Sequence, residues 1–596
     1  MSNRTLYRMF QETAARCGGS PAFGARPNKN SEYAYLTYDD TAQKVKDLAR
    51  GLDALGLRRG ETIALLSENR EEWALVDLAS HLLGLVIVAP YTTLPAAQAG
   101  FIIRDSEARA IIVADKKLLA KVGEFRTETP KLEFVITLDS ALANGQEAID
   151  FASLFQPSGK SDAELEALAA AVSPDDVATL IYTSGTTGEP KGAMLTHLNL
   201  LQTPDAVVEH RVADVGAGDV FLSFLPLSHI TERMGYYIAL RAGACTVYSL
   251  GLSALTEEIQ TAVRPTLMLC VPRLWESIYS KAHEGLMKQE PDKRKRIEWG
   301  LKVAMAYSER LREGRFINPI LRLQHALADK LILSKIREKT TGGRLRYCVS
   351  GGAPLDTKAL AFFLSIGIEL LEGYGLSETS IIAINRPGRE RVGTVGTLLP
   401  QVEVKIAEDG EILMRGQGRM KGYFRHSETT AEAINAEGWF HTGDIGEISA
   451  DGYLKITDRK KDLLVLSNGK KVAPQPIEAE LKHSEWIGEA VLFGDRQSTV
   501  SALIVPAFDV LLGWAKQNGV AGKSEELVEN AEVQKIVKAE IDKVNATLPD
   551  YERIKRFRLL PKPFSIEAGE LTPTLKVRRK AVAENYASIL ASFARD

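Results

Sequence analysis

Between Glu61 and Pro90 the chain reads ETIALLSENREEWALVDLASHLLGLVIVAP: a short apolar run, a polar turn, an amphipathic stretch of helical period, and a second apolar run. Strands buried on both faces appear as uninterrupted apolar runs, and a helix between two of them predicts a βαβ unit in a mainly parallel sheet. ARAIIVAD (108–115) and LEFVITLD (132–139) continue the alternation. From Gly285 to Thr341 the pattern changes to long charged stretches that favour helix, KQEPDKRKRIEWGLKVAMAYSERL and LRLQHALADKLILSKIREKT, in which the run Lys293 to Arg296 reads as a solvated helical face. Near residue 458 it changes again. DRKKDLLVLSNGKKVAP is basic and glycine-bearing, and VQKIVKAEIDKVNATL beyond it places Val533, Ile536, Val537, Ile541, Val544 and Leu548 on one helical face. The predicted organisation is α/β: a large N-terminal domain over 1–457 with mainly parallel sheets and helices, then a small α+β domain over 458–596.

The N-terminal MSNRTLYRMFQETAARCGG has no apolar core of a secretory signal and predicts a short surface helix. The most apolar window, WALVDLASHLLGLVIVAPY, carries Asp77 and His81 and stops at Pro90. It falls short of the roughly 20 clean apolar residues of a spanning helix, and reads as a buried helix feeding a buried strand.

Composition narrows the function without naming it. At 596 residues the chain needs at least two cores. A net charge of -3 gives no basic excess for nucleic acid or for an anionic membrane. Cys17, Cys245, Cys270 and Cys348 are scattered, with no C-x-x-C pair, which argues against a disulfide framework or a zinc site and fits a reducing cytoplasm. Peripheral contact with the inner face of a membrane stays open.

The chemistry concentrates in LIYTSGTTGEPKGAMLTHLNL, where a strand-like run enters a loop holding Ser184, Gly185, Thr186, Thr187, Gly188 and Lys191. Backbone N–H groups of a glycine-rich turn, hydroxyl donors and one ammonium suit a nucleoside triphosphate. Glu189 and Pro190 separate Gly188 from Lys191, so this is not a Walker A loop. Read alone, the cluster is equally a surface turn.

YTSGTTGEPKG (182–192) resembles the signature loop of the AMP-forming, adenylate-forming superfamily of acyl-CoA synthetases, luciferases and adenylation domains. Further motifs of that family follow in order across the chain: SFLPLSHITER with His229, SGGAPL with Gly352 and Ala353, GYGLSET (373–379), GWFHTGDIG with Asp444, DRKKDL with Arg459, and LTPTLKVRR with Lys576. The segment 438–474 and the helical insertion are similar to long-chain fatty acyl-CoA synthetases. The resemblance implies ATP bound by Thr183 to Gly188, Lys191, Gly352, Ala353, Gly373, Tyr374, Thr379, Asp444, Arg459 and Lys576. Tyr374 offers a flat face for adenine, and Asp444 an acceptor for ribose hydroxyls. Glu378, with Thr183, implies a Mg²⁺ site of few protein ligands.

Catalytic roles are implied for His229, Arg459 and Lys576, the lysine neutralising charge as a carboxylate attacks the α-phosphate. Leu575 stands where the wider family has glycine. Ser467, Asn468 and Gly469 match the loop along the coenzyme A path. Lys461 matches the hinge, near 458–462, of a mobile C-terminal domain. The expected reaction joins a long-chain fatty acid to coenzyme A through an acyl-adenylate, with ATP and coenzyme A as cosubstrates and no covalent protein nucleophile. Transfer to a carrier-protein thiol is the alternative. Outside the family stand a nucleotide-binding protein without turnover and a kinase-like phosphotransferase. Phe224, Met234, Tyr236 and Tyr237 are candidate walls of an acyl tunnel, or plain core.

Overall fold

The computed structural model describes residues 4–143, 148–155, 159–183, 189–352, 355–520, 522–565, 567–572 and 576–593. It divides into two compact units. The first comprises Met1–Lys405, Leu413–Thr442 and Ser449–Leu454, and the second Ile406–Ile412, Gly443–Ile448 and Lys455–Asp596.

The first unit holds two large sheets. One runs Gly422–Tyr423, Lys191–Thr196, Val177–Thr183, Val86–Val88, Thr62–Leu66, Ala110–Val113, Phe134–Thr137, Ile149–Asp150. It is parallel from Val177–Thr183 onward and antiparallel at the edge carrying Lys191–Thr196 and Gly422–Tyr423. The other runs Thr397–Leu398, Ser380–Ile384, Glu369–Leu376, Tyr347–Gly351, Leu267–Cys270, Val220–Ser223, Cys245–Tyr248, Pro21–Ala25, Ala34–Thr37, and its six central strands, Glu369–Leu376 to Pro21–Ala25, are parallel. The alternation in the sequence is thus a parallel sheet. TIALL and AIIV are buried at every position, as strands covered on both faces must be.

One core joins Phe23 of the nine-stranded sheet to Ile63 and Leu65 of the eight-stranded one through the helices Leu6–Cys17, Tyr38–Ala54, Glu71–Leu83 and Ile230–Ala242. Leu6–Cys17 is therefore not the predicted surface helix. Leu6, Met9, Phe10, Thr13 and Ala14, spaced by three and four, form a buried stripe, and Thr5 caps its first turn.

Inside that core lies a polar cluster with almost no solvent access. The Tyr237 hydroxyl donates to Asp77 Oδ2 at 3.0 Å, and His81 Nε2 stands 3.3 Å from Asp77 Oδ1. Burial alone would raise the Asp77 pKa, but His81, the Arg233 charge and the Tyr237 bond outweigh it and hold the carboxyl below its usual range. Asp77 and His81 of the most apolar window therefore pair with partners in the core. Among the described residues no helix is long and apolar enough to cross a membrane, and all four cysteines are free.

In the second unit, Ile487–Phe493 pairs antiparallel with Val500–Pro506, which pairs in parallel with Ile554–Leu559. The helix Ala531–Asn545 buries Val533, Val537, Ile541 and Val544 against this sheet's core, the face its sequence predicts. Arg579 donates to both oxygens of Glu478, at 2.6 and 3.0 Å, and to Leu492 O, tying the chain's last helices to the sheet.

Candidate active site

The strand Val177–Thr183 ends at the signature loop, and its antiparallel neighbour starts at Lys191, which lies in register with Thr183. Thr183 and Lys191 therefore face each other at the ends of an antiparallel strand pair. Ser184, Gly185, Thr186, Thr187 and Gly188 lie outside the described residues. Thr183 and Lys191 sit at the carboxyl end of the parallel strands, where open α/β sheets bind ligands.

Opposite Thr183 stands Glu378. Its Oε1 accepts from Thr183 Oγ1 at 3.3 Å and from the Tyr423 hydroxyl at 3.0 Å. Burial first, then the Glu378 charge, raise the Tyr423 phenol far above its ordinary pKa, so it remains a donor. Lys191 Nζ reaches Thr429 Oγ1 at 3.4 Å and lies 5.9 Å from the Tyr423 ring centre. Nothing in the sequence marks Tyr423 or Thr429. They arrive on Gly422–Tyr423, the edge strand, and on the helix Ser427–Ala433 after it.

Glu378 is aimed by an unusually tight turn between Glu369–Leu376 and Ser380–Ile384. Ser380 has φ 56°, its hydroxyl pairs with Thr203 Oγ1 at 3.0 Å, and a Cβ on Gly375 would stand 2.0 Å from Ser380 O. Thr379 is fully buried, and its hydroxyl accepts from Leu376 N at 3.1 Å and donates to Ser380 O at 3.2 Å. Its side chain builds the turn that carries Glu378.

Tyr374 is half-buried on the same strand, opposite Ala383. Gly351 and Gly373 face each other across neighbouring parallel strands, and Gly352 follows at φ 87°, a conformation only glycine adopts freely. Bare backbone beside an aromatic ring suits a planar base. Ala353 lies outside the described residues. Burial raises the Glu372 carboxyl, one position before Gly373, to about 7.

His229 caps the helix Ile230–Ala242, its Nδ1 accepting from Thr231 N at 3.2 Å. An accepting Nδ1 leaves Nε2 as the protonated nitrogen of the neutral ring. Two residues that the sequence does not single out fix the segment before it. Asn69 bonds Ser223 Oγ, Leu225 O and Leu227 N, and the fully buried Glu232 accepts from Phe224 N at 3.1 Å. Of the proposed tunnel walls, Met234, Tyr236 and Tyr237 are packed in the main core, and Phe224 is partly buried.

In the second unit Arg459 Nε donates to the buried Asp444 Oδ1 at 2.9 Å. Lys460 ion-pairs with Asp409 at 2.6 Å and Glu411 at 2.9 Å, while Glu411 accepts from Gly443 N, which fixes the approach to Asp444. Lys576 belongs with them. As a residue it is exposed, but its ammonium is crowded: desolvation first, then the neighbouring Arg459 charge, lower its pKa to about 8 against the pull of Asp444. Lys461 is exposed in the turn after Leu454–Arg459. Ser467, Asn468 and Gly469 form the exposed turn between Leu464–Val465 and Lys471–Val472, with Gly469 at φ 79°.

Two family descriptions match this chain: AMP-binding enzyme over residues 10–424, and AMP-binding enzyme C-terminal domain over 461–595. The chain belongs to the AMP-binding enzyme family. It is 35% identical to long-chain-fatty-acid–CoA ligase FadD15 of Mycobacterium bovis, over 93% of this chain and 91% of that one. It is 31% identical to long-chain-fatty-acid–CoA ligase 1 of Cavia porcellus, over 98% of this chain and 86% of that one. Among solved structures, the adenylation domain of a Mycobacterium chelonae carboxylate reductase shares the fold, with a TM-score of 0.77 at 23% identity, covering 100% of this chain and 92% of that one. A Mycobacterium tuberculosis fatty acyl CoA synthetase shares it with a TM-score of 0.64 at 20% identity, covering 98% and 99%.

Because Gly375 has no room for a side chain, Gly375→Ala forces the Glu378 turn open. The expected result is a loss of about 1–3 kcal/mol in stability, read by urea unfolding, together with weakened nucleotide binding by calorimetry. Nucleotide affinity equal to that of the parent would show that this turn does not position the site.

Proposed function

We infer that this chain is an ATP-dependent long-chain fatty acid–CoA ligase of the AMP-forming type. The observation that carries this reading is the 35% identity, over 93% of the chain, to a ligase so named. In the first half-reaction a fatty carboxylate oxygen attacks the α-phosphorus of ATP, the bond to the β,γ-phosphates breaks, and pyrophosphate leaves. In the second, the thiol sulfur of coenzyme A attacks the acyl carbon of the adenylate, its proton is released, and AMP departs. The first step brings two anions together, so the protein's task is cationic and hydrogen-bonding stabilisation.

Lys191, in register with Thr183, carries a positive charge for the β,γ-phosphates. His229 Nε2–H donates to the carboxylate or the α-phosphate. Tyr374 stacks on adenine beside Gly351 and Gly352, Asp444 accepts from the ribose, and Arg459 orders that contact. Lys576 neutralises charge on the α-phosphate. The Glu378 carboxylate and Thr183 hydroxyl offer hard oxygens 3.3 Å apart, a set that fits Mg²⁺, which takes few protein ligands and keeps substrate phosphates. Held by these two residues, the ion would supply charge neutralisation for the phosphates. Ser467 to Gly469 line the path of the pantetheine arm. The turn at Lys461, where the second family match begins, is the hinge between the two half-reactions.

Fatty-acid-dependent exchange of pyrophosphate into ATP, followed by thioester formation with coenzyme A, tests the activity across chain lengths. Exchange without a coenzyme A thioester, but with acylation of a carrier protein, would replace the acceptor. No exchange with any fatty acid would overturn the reading.

Two predictions follow from the geometry. Tyr423→Phe removes the hydroxyl that orients Glu378 and is expected to weaken Mg²⁺-dependent ATP use by about 10–100-fold, as loss of an outer-shell partner does. The Mg²⁺ dependence of exchange measures it, and an unchanged dependence would remove Tyr423 from the site. The second concerns pH. A lysine acts as a cation below its pKa, so adenylation should be full below about 8 and decline as pH rises through it. Lys576→Arg should move that limb upward, because guanidinium stays charged. A limb of kcat/KM that stays in place in the variant would assign it to another group.

A further inference from the structure

Along the edge of the eight-stranded sheet, beside Gly422–Tyr423, runs an open groove of about 620 Å³. Four basic side chains, Arg419, Lys421, Arg425 and His426, line it together with Tyr423, and among the described residues no carboxylate does. The segment that carries them is held against the Glu378 turn. Met420 N donates to Glu378 O at 2.7 Å, while Lys421 N and Phe424 N donate to Met194 O and Gly192 O of the neighbouring strand. Tyr423 belongs to both places. It lines the groove, and its hydroxyl donates to Glu378 Oε1 at 3.0 Å.

The fold does not balance these cations. Arg425 pairs with Glu107 at 3.1 Å, but among the described residues neither Arg419 nor Lys421 makes an ion pair. Arg419 is half-buried and donates to Met420 O at 3.3 Å. Burial lowers its pKa, and no neighbouring acid offsets the effect. A partly desolvated guanidinium without an acid is a cost that an arriving anion removes. In the ligase reading, on which this step rests, pyrophosphate is released beside Glu378 and Thr183, and Tyr423 joins that pair to the groove. We propose that the groove is a separate subsite for inorganic pyrophosphate, which takes the leaving polyanion from the reacting centre and holds it between Arg419 and Lys421. A guanidinium presents paired donors to two oxygens of one phosphate, and an ammonium a compact charge to the other. The base and ribose of ATP are anchored elsewhere in the proposed site, so free pyrophosphate can move where the triphosphate cannot.

Calorimetry on the full chain tests it. With α,β-methylene-ATP saturating the nucleotide site, inorganic pyrophosphate is expected to bind still. Arg419→Gln/Lys421→Gln should weaken that binding by about tenfold or more, whereas Arg419→Lys, which keeps the charge, should retain part of it. Thermal unfolding checks that the variants are folded, and Lys421→Gln alone, at an exposed position, carries the test if the double variant is not. In the exchange reaction the double variant should raise the KM for pyrophosphate relative to that for ATP by about the same factor. No pyrophosphate binding beside the analogue, or equal binding by the folded variant, would overturn the proposal. So would sulfate bound as tightly as pyrophosphate, which makes the groove a general anion surface. A rise in the KM for coenzyme A in place of pyrophosphate would overturn it too, giving the cations to that cosubstrate's diphosphate. Pyrophosphate binding that the variant loses, in a chain that catalyses no exchange with any acid, would instead remove the ligase reading and leave the subsite standing.

Discussion

In the first unit a single carboxylate oxygen ties three separate segments of the chain together. Oε1 of Glu378 receives hydrogen bonds from Thr183 and Tyr423, residues brought from two other segments of the chain. Each donor stands at the end of a strand, and those strands are held in register through Lys191–Thr196. A carboxylate on an exposed loop would sample many positions. Here a turn with no space at Gly375 sets its direction, and two donors set its reach. Both contacts fall on the same oxygen and so fix the direction of the group. Lys191 completes the arrangement by standing in register with Thr183 on the neighbouring strand.

In the second unit the problem is reversed, because the functional groups repel. Arg459 and Lys576 are neighbouring cations, and the Asp444 charge pulls against their repulsion. Desolvation first, and then the Arg459 charge, which cannot be relieved by deprotonation, lower the lysine's pKa to about 8. An arriving polyanion relieves that repulsion. The ammonium would then regain its ordinary affinity for the proton when phosphate is present, so ligand binding and charging of the lysine reinforce each other.

What the sequence reveals follows from how restrictive each task is. The buried parallel strands need unbroken apolar runs, so they were legible, and the stretch of glycines, hydroxyls and a lysine stands out as a motif. Asn69, Glu232 and Tyr423 work singly, through contacts with residues far away in the chain, and leave no local pattern. Thr379 shows the opposite case. It lies inside a recognisable motif, yet its hydroxyl bonds the backbone of its own turn. The N-terminal helix misled because its apolar stripe is short and interrupted by polar residues, although the three-and-four spacing is there. The acyl tunnel stayed illegible because an aromatic side chain that lines a tunnel and one that fills a core, as Tyr236 and Tyr237 do, are the same residue in sequence.

Two departures from the rule of apolar inside and polar outside differ in kind. The Asp77, His81 and Tyr237 cluster places polar groups in the core, but each finds a partner there, and replacing one would leave its neighbour buried and unsatisfied. The face that Ile320, Leu323, Leu327 and Leu331 form from the helix Pro319–Ala328 onward, with Phe316 in the loop before it, places apolar groups in water, and nothing among the described residues packs over them. The first departure is compensated inside the fold. The second is not, and its helix already buries another face against Tyr307 and the residues around Ala328. Folding alone therefore gives no reason for those five side chains to be large and apolar, whereas polar residues at the same positions would leave the helix pair intact.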